Sequence, residues 1–326
     1  MLAKKNDVLL LGEPRKHMFA GLQNAFSVHH AVDPDGSDAA LIDRLAADLR
    51  YIAVTTPGRV DAALMSRLPR LEIVASLGVG YDNVDAAHAG RHGIVVTNTP
   101  TVLNEEVADT ALGLLLCTVR QFPQADRFVR AGRWEEGGYP LSQSLHDRIV
   151  GMVGLGRIGQ AIARRLDAMR VPVVYHSRRR QPNVPYRHYR HLIEMARAVD
   201  VLLVIIPGGP DTRHLIDAAI LDALGPDGIL INVSRGSVVD EAALIQALQQ
   251  RRILTAGLDV YADEPRVPDA LRAMEQVVLF PHLGSASHYA RRAMEQLVVD
   301  NLTAWDAGKA PLTPVTETSI PQSRRP

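Results

Sequence analysis

The chain has 326 residues, 47% of them hydrophobic, with 36 basic and 36 acidic side chains and therefore no net formal charge. That length and apolar content suffice for two domains with their own cores. The balanced charge leaves no basic surplus for a nucleic-acid partner.

The first apolar run, 8–11, has the length of a strand and is too short for a signal-peptide core. No stretch reaches membrane-spanning length. Further short strands are expected at 51–54, 73–75 and 95–97, with a helical pattern at 39–49 between the first two, which makes a small α/β domain. A long apolar helix follows over 105–121, which Pro123 should kink or end. Cys117, the single cysteine, sits in its apolar stretch and is expected to be a buried, reduced thiol. Such a thiol fits a soluble protein of the reducing cytoplasm.

From Arg148 the pattern changes. An apolar strand at 149–153 runs into Gly154-Leu155-Gly156-Arg157-Ile158-Gly159, and a helical segment, 160–166, follows directly. Glycines allow the tight turn and the close approach of backbone to a pyrophosphate, and the helix start supplies N–H groups and a favourable dipole. A second strand at 171–176 comes at the spacing of the ribose-binding position. More strands at 201–206, 229–233, 254–258 and 277–280 extend a parallel sheet. An amphipathic helix spans 287–305, and the stretch 311–326, rich in proline, threonine and serine, is expected to be a mobile tail.

Three segments downstream of the glycine turn carry chemistry: 232–241 with Arg235, 257–265 with Glu264, and 280–288 with His282. Each follows an apolar strand, at the sheet edge where open α/β proteins bind ligands. Reduction of a 2-oxo acid needs a fixed cation for the carboxylate, an acid for the carbonyl oxygen and a hydride donor. The planar fork of arginine suits the first task. Histidine suits the second, and a carboxylate such as Glu264 would hold its imidazolium form. No metal is required. Taken alone, Glu264 lies in an ordinary acidic turn, and Asp259 either tunes the site or closes a turn.

These segments, with 76–85, 97–100 and 105–109, resemble the D-isomer-specific 2-hydroxyacid dehydrogenases, and within them the glyoxylate/hydroxypyruvate reductases. The resemblance covers most of the chain. It implies two parallel-sheet α/β domains, Rossmann-like and flavodoxin-like. The substrate domain would be discontinuous, 1–98 with 287–326, around a dinucleotide domain at 99–286, and the active site would lie in a cleft between them. It implies that Arg235 binds the substrate carboxylate with the N–H groups of Val79 and Gly80, that His282 is the acid/base, and that Glu264 orients it. Cofactor contacts are expected from the glycine turn, Ser177, Arg178, Arg179, Pro207, Val233, Ser234, Asp259 and Gly284. Trp134 matches a position that reaches a partner's active site across a dimer, or is an interface or core residue. A homodimer is expected.

NAD-preferring members carry an acidic residue for the ribose 2′-hydroxyl. Ser177 stands there, followed by Arg178 and Arg179, so NADPH is the expected cofactor and NADH a weaker one. Ser177 is expected to donate to the 2′-phosphate. Leu77 disfavours a phosphate-bearing substrate. The expected reaction is reduction of glyoxylate and hydroxypyruvate. The alternatives are a reductase of bulkier 2-oxo acids and a cofactor-sensing binding protein of the same fold.

Overall fold

The computed structural model describes residues 5–324, which form two compact units: the chain up to Leu103 together with Ser287 onward, and Asn104–Ala286. In the first unit β1 (Asp7–Leu11), α1 (Lys16–Ala25), β2 (Ser27–Ala31), α2 (Ala39–Leu45), β3 (Tyr51–Val54), α3 (Ala62–Ser66), β4 (Ile73–Ser76), α4 (Ala86–Arg91) and β5 (Val95–Thr97) follow one another. The sheet is wholly parallel in the order β2-β1-β3-β4-β5, a flavodoxin-like winding. Its inner strands are buried on both faces and therefore read as unbroken apolar runs. Leu9, Leu11, Ile52 and Val54 fill one face, and Val8, Leu10, Tyr51 and Ala53 the other.

The second unit opens with α5 (Asn104–Arg120) and α6 (Phe122–Arg130). Between them Gln121 takes a left-handed conformation, and Pro123 sits in the first turn of α6, where its missing N–H costs nothing. Then come β6 (Val150–Val153), α7 (Arg157–Ala168), β7 (Val173–His176), β8 (Arg187–Tyr189), α8 (Leu192–Ala196), β9 (Val201–Val204), α9 (Ala218–Leu224), β10 (Ile229–Asn232), α10 (Glu241–Gln249), β11 (Thr255–Leu258), α11 (Asp269–Arg272) and β12 (Val278–Leu279). The parallel order β12-β11-β10-β9-β6-β7-β8 is the Rossmann winding with one strand added, and the order reverses between β6 and β9. Thr118 of α5 packs so closely on β11 that a Cβ at Gly257 would lie 2.2 Å from its hydroxyl oxygen. Cys117 is half-buried against this unit's core, and burial pushes its thiol pKa up.

The last helix, α12 (His288–Asp306), returns to the first unit, where Val298, Val299, Leu302 and Trp305 cover the sheet face made by Val8, Leu10, Tyr51 and Ala53. The segment after it corrects the expectation of a mobile tail. The Val315 N–H donates to Val96 O at 2.9 Å, Val315 is 5% exposed, and Arg324 stacks on Trp305. The stretch completes the open edge of β5 and plugs the core beneath it, and its prolines are tolerated because an edge strand donates on one side only. The last two residues of that expected tail, and residues 1–4, lie outside the described part. No helix among the described residues is long and apolar enough to cross a membrane.

Candidate active site

The three glycines after β6 have three different reasons to be glycine. Gly154, at φ +99°, turns so tightly that a Cβ would lie 2.4 Å from Ile205 O, and its N–H donates to His176 O. A Cβ at Gly159 would meet Gly154 O at 2.7 Å, so α7 packs directly on the turn. At Gly156 a Cβ would meet nothing within 4 Å. The turn is therefore closed behind and open in front, at the start of the twelve-residue helix α7 and at the point where strand order reverses. Its donors, dipole and open approach at Gly156 fit a dinucleotide pyrophosphate.

After β7 the chain makes a second turn on the same edge. Ser177 Oγ donates to Arg179 O at 2.6 Å, so its proton is spent on the turn itself rather than offered outward, as the sequence had suggested. Arg178 and Arg179 are exposed, and neither guanidinium forms an ion pair or hydrogen bond with another described residue. No acidic side chain lies between His176 and Arg180. This donor set fits a phosphate on the ribose and would repel nothing anionic. Exposed Pro207 after β9, buried Val233 and Ser234 after β10, and buried Gly284 after β12 lie on the same carboxyl edge of the sheet.

Loops from β10, β11 and β12 bring the catalytic candidates together. Arg235 is half-buried, and its Nη1 donates to Ser234 O at 2.8 Å. The buried Asn232 side chain braces this bend, accepting from Ser234 N and Oγ and donating to Arg235 O. A Cβ at Gly236 would lie 1.9 Å from the Tyr261 carbonyl, so only glycine lets the Arg235 loop press on the loop carrying Glu264. There Glu264 Oε1 accepts from Tyr261 N at 3.1 Å, while Oε2 meets His282 Nδ1 at 2.7 Å. Burial pushes the Glu264 carboxyl pKa up, but the His282 hydrogen bond and charge, the Tyr261 N–H and the Arg235 charge outweigh it and hold the carboxyl below its ordinary range.

His282 has φ +54°, a left-handed conformation that costs a non-glycine residue roughly 1–2 kcal/mol. Asp259 holds it there: Asp259 O accepts from His282 N at 2.9 Å, and its carboxylate accepts from Leu283 N at 2.6 Å and Gly284 N at 3.0 Å. Of the two roles the sequence allowed Asp259, closing the turn is the one its hydrogen bonds perform. Burial raises its pKa, against the Leu283 and Gly284 N–H groups and His282, which lower it.

In the first unit, the loop after β4 is fixed by its carbonyls. Asn98 Nδ2 donates to Val79 O at 2.8 Å and Thr99 N to Gly78 O at 2.8 Å. The N–H groups of Val79 and Gly80 make no hydrogen bond with described residues. Asn98 and Thr99 are readable as anchors only from this geometry, as are Asn232, Gly236 and Tyr261. Trp134 is 67% exposed and so is not a core residue of the chain, and α6 beside it buries none of its side chains. Phe122, Val129 and Leu141 are exposed in the same segment.

Residues 112–284 match the family model for the D-isomer specific 2-hydroxyacid dehydrogenase, NAD binding domain. The chain is similar to glyoxylate/hydroxypyruvate reductase A of Arabidopsis thaliana, with 44% identity over 277 residues, 85% of this chain and 88% of that one. It is equally similar, 44% over 270 residues, to hydroxyphenylpyruvate reductase of Plectranthus scutellarioides, over 83% of this chain and 86% of that one. Among solved structures, an NADPH-dependent glyoxylate/hydroxypyruvate reductase from Sinorhizobium meliloti, in complex with NADP and malonate, aligns with TM-score 0.92 and 49% identity over 99% of each chain.

Proposed function

Because the chain belongs to the D-isomer-specific 2-hydroxyacid dehydrogenase family, we propose that it is an NADPH-preferring reductase of small 2-oxo acids, glyoxylate and hydroxypyruvate, to D-2-hydroxy acids. The observation that carries this reading is the 2.7 Å hydrogen bond between Glu264 and His282, on the same sheet edge as the glycine turn. NADPH, when bound, supplies the hydride that reduces the carbonyl carbon. With Nδ1–H donating to Glu264, His282 presents Nε2–H on the opposite side of its ring as the acid for the carbonyl oxygen. Arg235 grips the substrate carboxylate through its fork. In the first unit, the N–H groups of Val79 and Gly80 are assigned as carboxylate donors. Asp259 is a positioning residue that sets the backbone of His282.

A second reading, reduction of bulkier aryl 2-oxo acids, is supported by the equal identity to the hydroxyphenylpyruvate reductase. Steady-state NADPH oxidation with glyoxylate, hydroxypyruvate and hydroxyphenylpyruvate separates the two. The first reading expects the highest kcat/KM with one of the two small acids. A higher value with the aryl acid would replace it with the second, and no turnover with any of them would remove both.

The exposure of four large apolar side chains within one segment, Phe122, Val129, Trp134 and Leu141, supports a homodimer that would cover them. Light scattering on the purified protein tests it, and a monomer at micromolar concentration would exclude it. The single half-buried thiol fits a reducing compartment and supports a cytoplasmic protein.

A further inference from the structure

Strand β8 is short and lies at the sheet edge beyond β7, where it adds three residues, Arg187–Tyr189, in register with Val174–His176. It contributes little to either core of its unit. Its middle residue, His188, instead reaches past the end of the ladder. His188 Nε2 lies 3.1 Å from Ser177 O, and because a carbonyl only accepts, Nε2 carries the proton and donates. His176 Nδ1 donates in the opposite direction, to Tyr189 O at 3.0 Å. The two imidazoles thus extend the β7–β8 pairing beyond its last backbone partners.

The ring of His188 also packs on buried Tyr175, with centroids 5.0 Å apart. The Tyr175 hydroxyl accepts from Gln181 N at 2.9 Å. The turn from Ser177 to Gln181, which displays Arg178, Arg179 and Arg180, is therefore held at three places: at its entry by His188, inside by the Ser177 hydroxyl on Arg179 O, and at its exit by Tyr175. Flexible cationic side chains select a phosphate well only when their backbone is fixed beforehand, since an unfixed turn must lose entropy on binding.

We infer that His188, with Tyr175 beneath it, is a specificity-determining positioning residue for the 2′-phosphate of NADPH: it holds the arginine turn without touching the cofactor. This rests on the NADPH-preferring reading proposed above. The ribose of NADH lacks the dianion that the arginines address, so NADH binding depends far less on the same turn.

Fluorescence or calorimetric titration of the full-length protein with NADPH and with NADH, without substrate, tests the inference. His188→Phe keeps the ring on Tyr175 and deletes the donor; His188→Gln places an amide donor near the position of Nε2. We expect His188→Phe to weaken NADPH by about three- to tenfold, the scale of one neutral hydrogen bond, with the NADH Kd changed less than twofold. His188→Gln should recover most of the NADPH affinity. Tyr175→Phe, which releases Gln181 N, should show the same selective loss, and it carries the test if His188→Phe does not fold. Equal loss for both cofactors, or no loss for either, would overturn the inference. Equal affinity of the unmodified protein for NADPH and NADH would instead overturn the cofactor reading on which it rests.

Discussion

Glu264 and His282, 18 residues apart on the loops after β11 and β12, share a 2.7 Å hydrogen bond, while the other Glu264 oxygen is held by the Tyr261 N–H. The carboxylate is thus fixed from two sides, and the ring that it orients keeps one nitrogen for the substrate.

Replacing His282 with alanine removes the proposed acid but leaves the glycine and arginine turns intact. Turnover of glyoxylate should fall by roughly 10²–10⁴-fold, with the NADPH Kd nearly unchanged. Single-turnover rates beside a binding titration check both halves, and near-normal turnover would strip His282 of its role.

Glu264→Gln should change how stability depends on pH, with a sign that follows from the lowered Glu264 pKa. The native carboxylate contributes fully above its unfolded value of about 4.3, and the contribution fades as pH falls through the depressed folded value. Denaturant unfolding of both proteins should therefore show a gap at pH 7 that narrows in acid. A gap constant down to pH 3 would refute the pairing as a source of stability.

Arg235→Lys keeps the charge and loses the fork. At about 1.5–3 kcal/mol for a hydrogen bond to a charged group, kcat/KM for glyoxylate should fall roughly ten- to 150-fold. Wild-type kinetics would mean that the substrate carboxylate is anchored elsewhere.

Gly236→Ala drives a methyl group into the Tyr261 carbonyl. The two loops must separate, at a cost of about 1–3 kcal/mol typical of overpacking, and Arg235 should move away from Glu264. The variant should lose both thermal stability and kcat/KM for substrate; retention of both would show that the contact is slack.

Arg178→Ala removes one guanidinium from a turn that holds no carboxylate. A preference for NADPH over NADH of at least about tenfold in kcat/KM should erode in this variant, chiefly through the KM for NADPH, and Ser177→Asp should move it toward NADH. Equal use of both cofactors by the unmodified enzyme would reduce the arginines to a solvated patch.

Most of the two sheets was legible because parallel strands buried on both faces, such as Val201–Val204 and Ile229–Asn232, have no polar residue before their last position. The edge strands β2 and β8 were not, although β5 and β12, at the opposite edges, were expected at 95–97 and 277–280. Ser27–Ala31 carries two histidines and Arg187–Tyr189 has no aliphatic residue, because an edge strand faces solvent and is recruited by its backbone alone. The segment through Val315 was hidden for the same reason. Arg235 and His282 could be singled out from the segments around them, whereas the bracing by Asn232, Gly236 and Tyr261 depends on contacts between loops that no local pattern encodes. Asp259 was visible as a candidate, but its work on the backbone of residues 282–284 was not.

The return of α12 to the first unit sets an order on synthesis. The second unit is one unbroken stretch, and its sheet has every strand once residue 286 has left the ribosome. The earlier-made unit must wait. Until Val298, Leu302 and Trp305 arrive, the sheet face with Val8, Leu10 and Tyr51 is covered only in part, by Met18, Leu22 and Phe26. A nascent chain paused before α12 should therefore carry a finished dinucleotide fold and a half-covered apolar sheet, the kind of surface that holding chaperones recognise. Truncation at residue 286 should leave a protein that still binds cofactor but aggregates through its N-terminal hundred residues.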